Sequence, residues 1–186
     1  MPLTALWAMM LCLAAPFQVS GGTISPSDMK HILKGYWHTP PTAIKAPHGP
    51  TADMPQKICD TAVQYQGRVP YRFGGVSVTR GMDCSAFSRM VFEKIGIRLP
   101  RTAREQANVG RLVPLHDLRA GDLVFFDASR KRKGIDHVGI MISARQLIHC
   151  AAHQGVVITR LDRYPHVPVF GRRIGNEAPM TMTQPR

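Results

Sequence analysis

Residues 81–96 read Gly81-Met82-Asp83-Cys84-Ser85-Ala86-Phe87-Ser88-Arg89-Met90-Val91-Phe92-Glu93-Lys94-Ile95-Gly96. Phe87, Met90, Val91 and Ile95 recur at helical spacing, and Gly96 supplies a stop. Asp83 is an acceptor side chain at the position that caps a helix, so Cys84 falls in the first turn. Unpaired backbone N–H groups there carry a partial positive charge. A thiolate is stabilised in such a place, which predicts a lowered pKa and a nucleophile available at neutral pH. The same N–H groups are suited to hold the oxyanion of a tetrahedral intermediate. Gly74, Gly75 and Gly81 are expected to leave room for a substrate backbone. A second reading of Cys84 alone is a small buried hydrophobe at a helix start.

Working outward, Ile58, Ala62 and Tyr65 line one face of a helix that starts near Met54 and stops at Gly67. Pro70 to Gly75 is rich in turn residues. Thr102 with Glu105 forms a capping-box pattern for a short helix reaching about Val109. After Gly110 the pattern becomes short runs of Val, Ile and Phe at 123–126, 138–143, 146–150, 156–161 and 167–172. Helices first and strands afterwards predict an α+β domain, with N-terminal helices on an antiparallel sheet of about five to six strands.

A thiol nucleophile needs a base. His137 opens the strand His137-Val138-Gly139-Ile140, and His149 ends the next, Leu147-Ile148-His149. A hairpin turning near Ala144-Arg145 brings the two imidazoles roughly one pairing step from opposite each other. One ring can take the thiol proton and return it to a leaving amine, and the other can orient it. Cys84, His137 and His149 are also a conceivable zinc set with Cys150 or Asp136. The ligands are scattered, without the usual close pair, so no metal is expected. His31, His38, His48, His116, His153 and His166 fall in loops or linker.

The chain has 186 residues, of which 44% are hydrophobic and 19% charged, enough apolar content for one buried core. Its formal charge of +12 favours polyanions, including bacterial wall polymers. With only 7% aromatic residues and no stacking platform, a nucleic-acid partner is not expected. Residues 1–20 carry no charged side chain and are mostly apolar, which reads as a signal peptide or an N-terminal membrane anchor. Residues 21–53 are rich in Pro, Gly, Ser and Thr and read as a linker, with a possible short helix from Ser27 to Trp37. The domain is expected over 54–174 and a frayed tail over 175–186. Cys59 and Cys150 could pair in an oxidising compartment, but buried, reduced thiols are the expectation.

Six segments in order carry a resemblance. They are Tyr71-Arg72-Phe73-Gly74-Gly75, Gly81-Met82-Asp83-Cys84-Ser85, Leu99-Pro100-Arg101-Thr102 with Gln106, Leu118 with Gly121-Asp122-Leu123-Val124-Phe125-Phe126, His137-Val138-Gly139-Ile140, and Ile148-His149. Together they resemble the NlpC-type cell-wall cysteine peptidases from about residue 55 to 173. The resemblance implies a papain-like fold and cleavage of peptidoglycan stem peptides, commonly between D-γ-glutamate and a diamino acid, without a cofactor. It implies Cys84 as nucleophile, His137 as base, His149 as orienting residue, Tyr71 as a shaper of the oxyanion site, and Asp83 and Ser85 near the stem-peptide subsite. Ala86 stands where glycine is usual, and Cys150 where a small apolar residue is usual. Export to the periplasm or the exterior fits this expectation. Another thiol acyl-transfer enzyme on the same scaffold, an amidase or transacylase, and a silent wall-binding module are the competing functions.

Overall fold

The computed structural model describes residues 53–128 and 134–175. The N-terminal segment, residues 21–52 of the linker with its possible helix, the basic cluster Arg130 to Lys133, and the tail from 176 lie outside the described residues. Among the described residues no helix is long and apolar enough to cross a membrane.

Among the described residues, three helices form where capping and periodicity place them. Helix α1 (Met54–Val63) turns Ile58, Cys59 and Ala62 inward. Helix α2 (Cys84–Lys94) starts at Asp83, whose carboxylate accepts the Ala86 N–H at 2.8 Å. Its inner face runs from Cys84 to Ser88 and on to Val91 and Phe92. Burying Phe87 and Phe92 contributes roughly 1.5–3 kcal/mol each. Helix α3 (Ala103–Gln106) has the full Thr102/Glu105 capping box but only one turn, shorter than the expected run to Val109.

Between α1 and α2 the chain forms a small hairpin, β1 (Val76–Ser77) and β2 (Gly81–Met82). The remaining strands are β3 (Arg111–Val113), β4 (Leu123–Phe126), β5 (His137–Met141), β6 (Gln146–Ala151), β7 (Gly155–Arg160) and β8 (Pro168–Arg173). They build one antiparallel sheet in the order β3-β8-β4-β5-β6-β7. The α+β, papain-like architecture is thus the one expected, with β1, β2 and β3 added. Strands of two or three residues have no alternation to read, and β3 is squeezed between Gly110 and Pro114.

Alternate residues of each strand point to opposite faces. Leu123, Phe125, Val138, Ile140, Ile148, Cys150 and Phe170 join the helices in the main core. Val124, Phe126, Met141 and Leu147 form a second core with Leu118 and Leu161. Both faces are therefore dry, which is why Leu123-Val124-Phe125-Phe126 is an unbroken apolar run. At Phe126 the pairing with β8 slips, and Pro168 takes the irregular position that a residue without an N–H tolerates.

Candidate active site

The hairpin brings Tyr71 beside the start of α2. Tyr71 bridges Met82, the Arg72 N–H donates to the Met82 carbonyl at 2.9 Å, and the Asp83 N–H donates to the Gly75 carbonyl at 3.2 Å. Gly81 sits at φ +111°, and a Cβ there would lie 2.7 Å from the Arg72 Cβ. A Cβ on Gly75 would lie 2.4 Å from the Gly81 carbonyl oxygen. These two glycines let the hairpin close on itself. The expectation that they open space for a substrate is corrected, and Gly74 alone of the three faces open space.

Asp83 and Ser85 are buried and engaged with the protein. One carboxylate oxygen of Asp83 accepts from Ala86 N–H, from the Ser85 hydroxyl at 3.1 Å and from Arg101 at 3.0 Å. The other accepts a second Arg101 bond at 2.6 Å. Gln106, fully buried, donates to the carbonyls of Ser85 and Pro100, both at 2.9 Å, and accepts from Ser88 at 2.7 Å. The segment around Arg101 and Gln106 therefore clamps the first turn of α2, where Cys84 sits. Replacing Arg101 by methionine is expected to destabilise the domain by about 1–3 kcal/mol, less than a fully buried pair because Arg101 is about a third exposed. A shift of the urea midpoint at constant slope measures it, and an unchanged midpoint removes the clamp.

Cys84 is only 7% exposed. Its thiol donates to the Asp136 carbonyl at 3.9 Å, and the Val138 N–H faces it as a donor, so the sulfur rests against the backbone on both sides of His137. The thiol's bond in this resting state runs to that backbone and not to the His137 ring. Burial pushes the Cys84 thiol up to about 11. The Val138, Ser85 and Cys84 N–H groups pull it down, but by less, and Asp83 pushes it further up. The expected lowering by the helix terminus is corrected, because a sulfur sealed from water gains less from three amide dipoles than it loses in hydration.

The imidazoles meet as the hairpin requires. His137 Nε2 lies 2.8 Å from His149 Nδ1, and His149 Nε2 lies 3.1 Å from the Thr159 hydroxyl. In the register Ile140↔Ile148, continued by one residue, Gly139 stands opposite His149, and His137 is two residues further along the same face. Thr159 is likewise two residues beyond Val157, the partner of His149. The three polar groups thus run diagonally across β5, β6 and β7. A Cβ on Gly139 would stand 2.5 Å from Leu147 Cδ1 and 3.3 Å from His149 Cβ, so a side chain there would press on Leu147 and on His149. His149 is 1% exposed. Burial, then His149 and His166, bring His137 down to about 3, and burial alone brings His149 to about 4. Burial thus favours the neutral thiol and the neutral form of both rings.

Two neighbours were not singled out from the sequence. Thr159 was legible only through the register that pairs its strand with β6. Tyr164 follows a 3-10 turn (Leu161–Arg163) and stacks on His137, with centroids 5.6 Å apart and 24° between planes. Burial, with Cys84, Asp136 and Tyr71 nearby, pushes the Tyr164 hydroxyl up, and burial with Cys84 and Asp83 does the same to Tyr71. Cys59, Cys84 and Cys150 are free, buried thiols. Cys59 faces the Met141 carbonyl and Cys150 the Met82 carbonyl, at 3.7 and 3.2 Å.

The chain resembles known proteins over this same region. It is 39% identical over 111 residues to the murein DD-endopeptidase MepS/murein LD-carboxypeptidase of Escherichia coli, covering 59% of this chain and 56% of that one. It is 38% identical over 94 residues to the gamma-D-glutamyl-L-lysine dipeptidyl-peptidase of Bacillus subtilis, covering 50% and 31%. The chain spans about half the length, or less, of the curated relatives it matches. Among solved structures, the peptidoglycan hydrolase RipB of Mycobacterium tuberculosis matches with a TM-score of 0.58 and 25% identity, over 80% of both chains. The model of the NlpC/P60 family matches residues 67–170, more than half of the chain and the span that holds Tyr71, Cys84, His137, His149 and Tyr164; the chain belongs to the NlpC/P60 family.

Proposed function

We propose that this chain is an exported cysteine endopeptidase that hydrolyses the γ-D-glutamyl–diamino acid bond of peptidoglycan stem peptides. The observation that carries the reading is the bonded pair His137–His149, set next to a cysteine in the first turn of a helix, in a chain of the NlpC/P60 family. The peptidase names of the relatives support it, as do the apolar residues 1–20 and the charge of +12, which suits an anionic wall.

Cys84 attacks the scissile carbonyl as His137 takes the thiol proton. The base needs a bare lone pair on Nδ1, so His137 donates from Nε2 to His149 Nδ1, and His149 donates from Nε2 to Thr159. His149 fixes the tautomer and the ring. Backbone N–H groups at the start of α2, with Tyr71 beside them, face the developing oxyanion. Asp83 and Ser85, stiffened by Arg101, border the stem-peptide subsite. The tetrahedral intermediate collapses to a thioester, and His137 returns the proton to the departing amine. Water, deprotonated by His137, then attacks the thioester, releasing the carboxylate and restoring the thiol. No cofactor enters this sequence.

Defined muropeptides with mass-spectrometric identification of products test it. The expected products carry a free γ-carboxyl on D-glutamate and a free amine on the diamino acid. Release of cross-bridged stems alone reassigns the bond, and intact muropeptides after incubation with folded protein overturn the peptidase reading.

A further inference from the structure

We propose that Tyr164 is a positioning residue: its ring holds His137 in the orientation that bonds Nε2 to His149 and leaves Nδ1 for the thiol proton. The inference rests on the reading of Cys84, His137 and His149 as a thiol peptidase site.

Three rings and one hydrogen bond surround the His137 imidazole. Tyr164 stacks on it at 5.6 Å, Phe126 lies 5.8 Å away at 50°, and His149 meets it edge-on at 5.0 Å. Tyr164 also meets His149 edge-on at 5.0 Å and Phe126 at 4.7 Å, so one residue touches every other member of the group. Offset and edge-to-face contacts of this kind contribute roughly 0.5–1.5 kcal/mol each and depend on ring orientation. An aliphatic side chain fills much of that volume without offering a flat face that resists rotation of the imidazole. His137 would then be oriented by its hydrogen bond to His149 and the tilted Phe126 contact, and a turn of the ring that breaks the bond also moves the basic nitrogen.

Tyr164 is itself held by its chain neighbours. Leu161 is buried in the second core, and its N–H donates to the Arg145 carbonyl at 2.8 Å. Pro165 follows directly, and Pro168 opens β8. His166 meets the Tyr164 ring edge-on at 5.4 Å. The loop between β7 and β8 thereby acts as a brace on the imidazole pair, supplied from outside the segments that carry Cys84 and His137.

The test compares Tyr164→Leu, Tyr164→Met and Tyr164→Phe on muropeptides. The two aliphatic variants are expected to lose roughly 10- to 100-fold in kcat with KM changed by no more than about twofold, since a displaced base slows chemistry without removing substrate contacts. Tyr164→Phe keeps the ring and is expected to recover to within about threefold of the parent. Labelling of Cys84 by iodoacetamide, followed by mass mapping, reads the same coupling without turnover. Tyr164→Leu should slow labelling, and the double variant with His137→Ala should be no slower than His137→Ala alone, because both act through one base. Full kcat in both aliphatic variants, a phenylalanine variant as impaired as leucine, or losses that multiply in the double variant each overturn the proposal. A parent chain that cleaves no muropeptide overturns the peptidase reading, and the labelling cycle still decides the role of Tyr164.

Discussion

Cys84→Ala is expected to lower muropeptide hydrolysis by roughly a million-fold, to the level of binding and oxyanion contacts alone. The methyl group cannot form the thioester, and no other described thiol can replace the sulfur. Cys59 faces β5 from α1, and Cys150 lies beneath the hairpin at Met82, both buried. The fold should persist. Cys84 lies at the edge of the main core, and the helix start is secured by Asp83, Arg101 and Gln106, none of which uses the sulfur. The thermal midpoint should therefore move by no more than a few degrees, as for a loss of about 1 kcal/mol. Turnover within tenfold of the parent, measured on the same muropeptides, ends the nucleophile assignment.

His137→Ala carries the second large effect. A thiol near 11 is thiolate in roughly one molecule in ten thousand at pH 7. On the proposed mechanism the resting site therefore holds no ready-made anion, and His137 takes the proton during attack. Its removal is expected to cost roughly 100- to 10,000-fold in kcat. Labelling of Cys84 distinguishes the two routes to the anion. Without the base, the rate should climb about tenfold per pH unit from neutrality toward 11, following hydroxide. With the base, the climb should be much shallower, since His137, brought down to about 3, is neutral across the whole neutral range. An equal slope in parent and variant shows that His137 does not activate the sulfur. His149→Ala removes orientation and leaves the acceptor, so its loss in kcat should be smaller. Equal losses at His137 and His149 exchange or merge the two roles.

The ordered motifs from Tyr71 to His149 made the family legible, and two helix starts were visible in short-range chemistry. Asp83 before Cys84, Thr102 with Glu105, and the periodic apolar residues of 84–95 act within one or two turns, where sequence spacing is spatial spacing. The pairing of His137 with His149 was legible for the same reason, because a short hairpin ties register to chain distance. Thr159 and Tyr164 were not, since their places depend on a second hairpin and on a loop that crosses back over the sheet.

The chain's own order of residues determined which thiol and which imidazoles are chemically eligible, because capping, turn and strand alternation are local properties of the backbone. Only the folded assembly decided their protonation and their bracing. The sulfur is buried against the backbone on both sides of His137, and the His137 ring packs against Phe126 of β4 and Tyr164, which also touch each other. Desolvation and ring stacking are sums over neighbours distant in the chain, so neither could be read before those neighbours were brought together.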